Sequence, residues 1–153
     1  MANAYKSNEF RHGQPFLATI SDRWNYQILS EVFFGTSRFG ELKRALGISA
    51  NILTARLNDL TEIGMLDRHA YREDKPWYEY RLTEAARELV VPAIVAITRW
   101  AEGHALATDS DGGTPRPLLH TTCGNETDPY LACSACHEPI QASNLVPLVA
   151  NKN

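Results

Sequence analysis

Between residues 33 and 82 the spacing of apolar positions changes character, and the change predicts two short helices followed by a hairpin. Phe39-Gly-Glu-Leu42-Lys-Arg-Ala45-Leu46 sets apolar residues three and four apart, and Gly47 stands where a helix C-terminus favours a left-handed residue. After a short turn, Ser49 is the expected N-cap of a second helix, because its hydroxyl can accept from a first-turn amide. The stretch 50–62 contains no Gly or Pro. Stepping about 100° per residue from Leu53 returns Leu57, Leu60 and Gly64 to within about 40° of it, so this side is expected to pack inward.

Asn51, Thr54, Ala55 and Asn58 point the opposite way. A helix whose outer face is small and polar can approach a surface closely, and the major groove of DNA is such a surface. Gly64 is expected to stop the helix. Residues 65–69 and 77–82 then carry the alternation and aromatics of paired strands, joined by the polar loop Tyr71-Arg-Glu-Asp-Lys-Pro76. Helix, turn, helix and hairpin in this order spell a winged helix-turn-helix. In that fold the loop is the wing, where Arg72 and Lys75 can meet phosphates; without the helices before it, a solvated hairpin tip would be the preferred reading.

The chain resembles the HxlR-type transcriptional regulators over roughly residues 11–105. The likeness rests on Trp24 with Ile28-Leu29, Phe39-Gly-Glu-Leu42, Ile48-Ser49, Leu53-Thr-Ala-Arg-Leu57, Glu62-Ile-Gly-Met-Leu66 and Tyr78-Glu-Tyr-Arg-Leu-Thr83. What the resemblance implies is a dimeric bacterial repressor or activator on a short inverted-repeat operator. Many oxidant-sensing members carry a cysteine thirteen residues before the Trp; here that position is Arg11, so thiol sensing from the N-terminal helix is not expected.

Net charge opposes this reading at first sight, because 15 Lys and Arg face 18 Asp and Glu, a formal −3. The surplus of acid lies in the tail: residues 1–107 hold 13 of each sign, whereas residues 108–153 hold 2 basic and 5 acidic. A neutral domain can still bind DNA if its cations cluster, and Arg38, Lys43, Arg44, Arg56, Arg72 and Lys75 all fall in the helix-turn-helix and wing. Asp59 and Glu62 follow Arg56 closely, so an intrahelical ion pair competes with a phosphate contact there. Arg68 and Arg81 are expected to pair across the strands or remain solvated.

Thr83 with Glu84 reads as the start of another helix. Its segment Leu89-Val-Val-Pro-Ala-Ile-Val-Ala-Ile97 is apolar on more sides than one small core requires, so this helix and residues 16–34 are the expected dimer interface. A helix buried within the monomer is the alternative. Pro92, which donates no backbone hydrogen bond, is expected to kink the helix or begin a new one.

Residues 108–117 read as a linker of small polar residues, Gly and Pro. Beyond it lie all three cysteines, as His120-Thr-Thr-Cys123-Gly and Cys133-Ser-Ala-Cys136-His137. Two pairs of x₂-spaced ligand types suit a tetrahedral Cys₃His zinc site of His120, Cys123, Cys133 and Cys136, with His137 as a rival nitrogen ligand. Cysteines without metal, packing a small tail, are the equal alternative. Cys133-x-x-Cys136-His137 also matches a haem attachment motif, but that chemistry needs export and usually a distal ligand, and the methionines are Met1 and Met65. A thioredoxin-like dithiol needs a helix that Pro139 opposes.

The expectation is therefore an α+β winged helix-turn-helix, mostly helical with a two- to three-stranded β-wing, over residues 1–107. A linker at 108–117 and a small Cys-rich appendage at 118–153 complete it. The expected function is sequence-specific, homodimeric regulation of transcription, with Ser49, Asn51 and Thr54 nearest the bases, no cofactor required and an unidentified small-molecule effector. The alternatives are a protein-interaction winged helix and a regulator gated by metal or redox chemistry at the cysteines. No nucleophile-plus-base spacing or phosphate loop points to catalysis, and His12, His69 and His104 are isolated. No apolar run approaches membrane-spanning length, and the N-terminus lacks the pattern of a signal peptide; both point to the cytoplasm.

Overall fold

The computed structural model describes residues 14–71, 77–103 and 116–146. Arg11, His12, His104, most of the wing loop with Arg72 and Lys75, and residues 108–115 of the expected linker lie outside them. The chain divides into two compact units, Met1–Thr98 and Arg99–Asn153. Among the described residues, no helix is long and apolar enough to cross a membrane.

In the first unit, α1 (Gln14–Ser21) and α2 (Arg23–Phe33) are separated by Asp22, whose carboxylate accepts from the backbone amides of Trp24 and Asn25 and so caps α2. The helix-turn-helix is α3 (Phe39–Leu46) and α4 (Ala50–Glu62). Gly47, at φ 61°, ends α3 in the left-handed conformation that a Cβ disfavours, and the Ser49 hydroxyl accepts from the Ile52 amide at 3.4 Å to begin α4.

The strands β1 (Leu66–Ala70) and β2 (Tyr78–Leu82) pair antiparallel, with Leu66 opposite Leu82 and Ala70 opposite Tyr78. A bridge from Arg38 to Glu79 adds a third strand position, closed by the Tyr80 amide donating to the Ser37 carbonyl at 2.8 Å. This is the two- to three-stranded wing that the sequence predicts. The backbone of the α3 entry is thereby tied to the hairpin.

One core joins these elements. Ile28, Leu29 and Val32 of α2 meet Leu42, Ile48, the α4 stripe Leu53, Leu57 and Leu60, and Leu66, Tyr80 and Leu82 of the hairpin. Ala86, Val90 and Ile94 of α5 (Glu84–Gly103) close it, at the four-residue spacing that keeps one helix face turned inward. Burial of Tyr80 raises its phenol pKa, because the phenolate would lose water.

Two expectations change. Gly64 is not part of the packing face of α4: the helix ends at Glu62, and Gly64 turns left-handed at φ 74°. The Met65 amide then donates back to the Leu60 carbonyl at 2.9 Å, as in a Schellman ending. Pro92 neither breaks nor restarts the last helix, since α5 runs continuously through it. Pro92 and Glu88 are both exposed, so water can satisfy the carbonyl that loses its donor. Thr83 begins α5 as expected, accepting from the Ala86 amide, while its hydroxyl donates to the Gly64 carbonyl at 2.8 Å.

The described residues 116–146 of the second unit form two small hairpins. β3 (Leu118–His120) pairs with β4 (Asn125–Thr127), and a bridge joins Ala132 to Pro139. A single 3₁₀ turn follows at Ala142–Asn144.

Burial separates the two faces of α4, which gives a stability test. Leu57→Ala should lower the unfolding free energy by roughly 2–5 kcal/mol, because the cavity lies in a packed core. Asn58→Ala should stay within about 0.5 kcal/mol in the same urea titration. Equal losses would show that α4 is not anchored by its leucine stripe.

Candidate nucleic-acid interface

The anchoring of α4 determines what it can present. With Leu53, Leu57 and Leu60 fully buried, Asn51, Thr54, Ala55 and Asn58 are all exposed, together with Ser49 at the N-cap. The side chains on this face are short, so nothing on the helix holds a flat partner away from its backbone. Ile52, not singled out by the sequence reading, is 43% exposed beside them. Its signal was an apolar residue out of phase with the Leu53 stripe.

Lys43 and Arg44 lie exposed in the last turn of α3, where their charge also complements the C-terminal end of the helix dipole. Arg38 is the N-cap residue of α3 but makes no side-chain cap bond. Its guanidinium lies 4.7 Å from the centre of the Tyr71 ring and 3.9 Å from the Glu41 carboxylate. Arg38, Phe39, Tyr71, Trp77 and Tyr78 line an open recess of about 380 Å³ between the start of α3 and the hairpin. Tyr71 and Trp77, which flank the wing loop, stack at a tilt with centroids 6.0 Å apart.

Arg56 differs from the other cations. It reaches the Asp22 carboxylate at 3.0 Å and Asp59 at 3.9 Å, and its side chain is 34% exposed. The expected intrahelical pair is present, but the closer partner is the carboxylate that caps α2. Asp22 therefore holds α4 to α2 while completing the first turn of α2. Sequence reasoning missed it, although an Asp just before the apolar run of Trp24, Ile28 and Leu29 is an N-cap signal.

Arg68 stacks over Tyr78 at 4.4 Å, and Arg81 pairs with Glu79, so both strand arginines are engaged on the hairpin.

In the second unit, each expected ligand pair forms a closed turn. His120 Nδ1 lies 3.2 Å from Cys123 Sγ, and the Gly124 amide donates to the His120 carbonyl at 2.8 Å. In the other turn, the His137 amide donates to the Cys133 carbonyl at 2.8 Å. The Asn125 backbone amide and the His120 ring lower the Cys123 thiol to about 7 by stabilising the thiolate. Backbone amides of Cys136 and Ala135 likewise lower Cys133.

The two pairs are not gathered into one set. Among the described residues, no three His, Cys, Asp or Glu side chains are grouped to hold an ion. Each turn is closed by its own hydrogen bonds.

The HxlR-like helix-turn-helix family matches residues 19–109. The chain is 44% identical over 131 residues to an HTH-type transcriptional regulator of Mycobacterium tuberculosis, covering 86% of this chain and 80% of that protein. It is 32% identical over 102 residues to the HTH-type transcriptional regulator YdeP of Bacillus subtilis, covering 64% and 78% of the two chains. Among solved structures, PA1607 aligns with a TM-score of 0.69 at 28% identity, over 98% of this chain and all (100%) of that one. The reduced form of the redox regulator HypR aligns with a TM-score of 0.55 at 28% identity, over 63% of this chain and 97% of its own.

The double duty of Asp22 can be separated by mutation. Asp22→Ala loses the cap and the ion pair and should cost roughly 1–2 kcal/mol. Asp22→Asn keeps a cap oxygen and should cost less than about 1 kcal/mol. Chemical denaturation of both variants reads the difference, and identical losses would mean that capping contributes nothing.

Proposed function

The chain belongs to the HxlR-like helix-turn-helix family and is a DNA-binding transcriptional regulator of winged-helix type; from that premise we propose that it acts as a homodimer on an inverted-repeat operator. In this reading α4 enters the major groove, with Ser49, Asn51 and Thr54 nearest the bases and Ala55 and Asn58 completing the contact face. The observation that carries it is that Ser49, Asn51, Thr54, Ala55 and Asn58 leave one side of α4 small, largely polar and uncovered while the other is locked by three buried leucines.

Asn can bond adenine through two atoms, and Ser or Thr can reach several base edges. Ile52 adds an apolar contact suited to a thymine methyl group. Lys43, Arg44 and Arg38 supply phosphate contacts from α3, the helix that crosses the backbone in helix-turn-helix complexes. The wing cations Arg72 and Lys75 are assigned the same role. Arg56 is assigned to positioning α4, because Asp22 holds its guanidinium.

Dimerisation is supported by apolar side chains left open on one chain. Leu89 and Ile97 of α5 are 48% and 45% exposed, and Leu17 of α1 is 58% exposed. A two-fold pair built on this surface would set two α4 helices on half-sites about one DNA turn, roughly 34–36 Å, apart. DNA reading then needs no cofactor, and its setting is the cytoplasm, where bacterial DNA lies. An effector, still to be identified, would act by changing the spacing or population of that dimer.

Binding to the DNA upstream of its own coding sequence should exceed binding to random DNA and weaken steeply with salt. Arg44→Ala should reduce the salt slope by about 1 and weaken all sequences alike, whereas Asn51→Ala should lose roughly 1–3 kcal/mol only on the preferred sequence. No preference over random DNA would contradict the operator reading. Leu89→Glu should convert the dimer to a monomer in sedimentation and abolish high-affinity binding; an unchanged mass would move the interface elsewhere.

A further inference from the structure

The described residues of the second unit lack the buried core that normally orders a fold. No described residue in 116–146 is buried, and Leu119, Tyr130, Leu131 and Leu145 are each more than 60% exposed (63, 70, 69 and 63%). A segment this small cannot be held by apolar burial alone, and metal is one of the few other devices available. Two hairpins nevertheless form, and each carries the same turn.

The likeness of the two turns extends to individual atoms. His120 and Cys133 each begin an x₂-spaced pair, and the carbonyl of each accepts the amide of the fifth residue at 2.8 Å. That fifth residue is left-handed in both: Gly124 at φ 71° and His137 at φ 62°. His137 is the only non-glycine residue with positive φ among the described residues, and histidine is one of the side chains that enter this region more readily than most. The backbone has taken the same shape twice, once with glycine and once with histidine at the left-handed place. In both turns a backbone amide also faces a cysteine sulfur, from Asn125 in one and from Ala135 and Cys136 in the other. Donors directed at sulfur orient a thiolate and are the outer-shell support a metal–sulfur bond uses.

We propose that the two turns are half-sites for one zinc ion, which His120, Cys123, Cys133 and Cys136 bind tetrahedrally and which folds the second unit by drawing the half-sites together. This goes beyond the DNA-reading function and does not depend on it. Gathering the two pairs and binding the ion are one event in this proposal, as expected where metal affinity is folding energy. A thiolate-rich S₃N set selects zinc over harder divalent ions. The three thiols enter as thiolates and release three protons, leaving a centre of formal charge −1.

The repeat also separates the two histidines. His120 holds the first-ligand place, equivalent to Cys133, with its Nδ1 already 3.2 Å from Cys123 Sγ. His137 holds the place of Gly124, after the ligand pair, where its backbone and not its ring is used.

The test takes the full chain, purified without chelator, and measures metal content and the spectrum of the Co²⁺-substituted protein. The expected result is one zinc per chain and the intense visible bands of tetrahedral, thiolate-ligated cobalt. Cys123→Ser and Cys133→Ser should each abolish that spectrum while keeping the helical circular dichroism of the first unit. His120→Ala should weaken metal binding at least tenfold, whereas His137→Gly should leave the spectrum unchanged. The proposal is overturned by absence of both zinc and tetrahedral cobalt, by a Cys133–Cys136 disulfide in protein purified under reducing conditions, or by a spectrum indifferent to Cys123→Ser. Because the readout is metal and not DNA, its failure is distinct from failure of the operator reading.

Discussion

The first unit depends on the attachment of α4 through a single face. Leu53, Leu57 and Leu60 reach no solvent, and they pack where α2, the hairpin and α5 converge. Three buried leucines set the rotation of the helix about its own axis, because turning it would expose apolar surface at roughly 1.5–3 kcal/mol per side chain. Asp22 fixes a further coordinate by joining Arg56 to the start of α2. The outer face of α4 is thus presented rigidly, with side chains too short to shield the helix from whatever it meets.

This division of labour explains how a chain of net charge −3 can be a DNA-binding regulator. In the proposed reading, rotation and depth come from apolar packing, base recognition from short polar groups, and attraction from a few local cations. Those cations are not equally available. Lys43 and Arg44 are exposed on α3, Arg38 is shared with Tyr71 and Glu41, and the half-buried Arg56 is held by the carboxylates of Asp22 and Asp59. A basic residue near a recognition helix is therefore not by that fact a phosphate contact, since its acidic neighbours in space decide its use.

What was legible in the sequence was local. Gly47, Ser49 and, in accepting from the Ala86 amide, Thr83 cap helices within one turn of their own position, so cap chemistry located the helix ends; the leucine period located the buried face of α4. The Asp22–Arg56 pair was not legible as a contact, because it joins residues far apart in the chain. Pro92 misled for a similar reason: a broken ladder is tolerable when the orphaned carbonyl faces water, and exposure is a property of the fold. Gly64 matched the wheel by angle but belongs to the turn beyond the helix. In the tail, spacing disclosed the ligand pairs, whereas the left-handed backbone at His137 became visible only in three dimensions.

The central claim is that α4 reads bases from the major groove, twice per dimer. Methylation interference on a site selected by the full-length chain from random-sequence DNA tests it most directly, because guanine N7 lies in the major groove and adenine N3 in the minor. The account predicts interference at guanine N7 in two inverted half-sites about 10 base pairs apart, centre to centre, with the pattern at α4-contacted positions lost in Asn51→Ala. Interference confined to adenine N3, or no sequence selected from the pool, would contradict it.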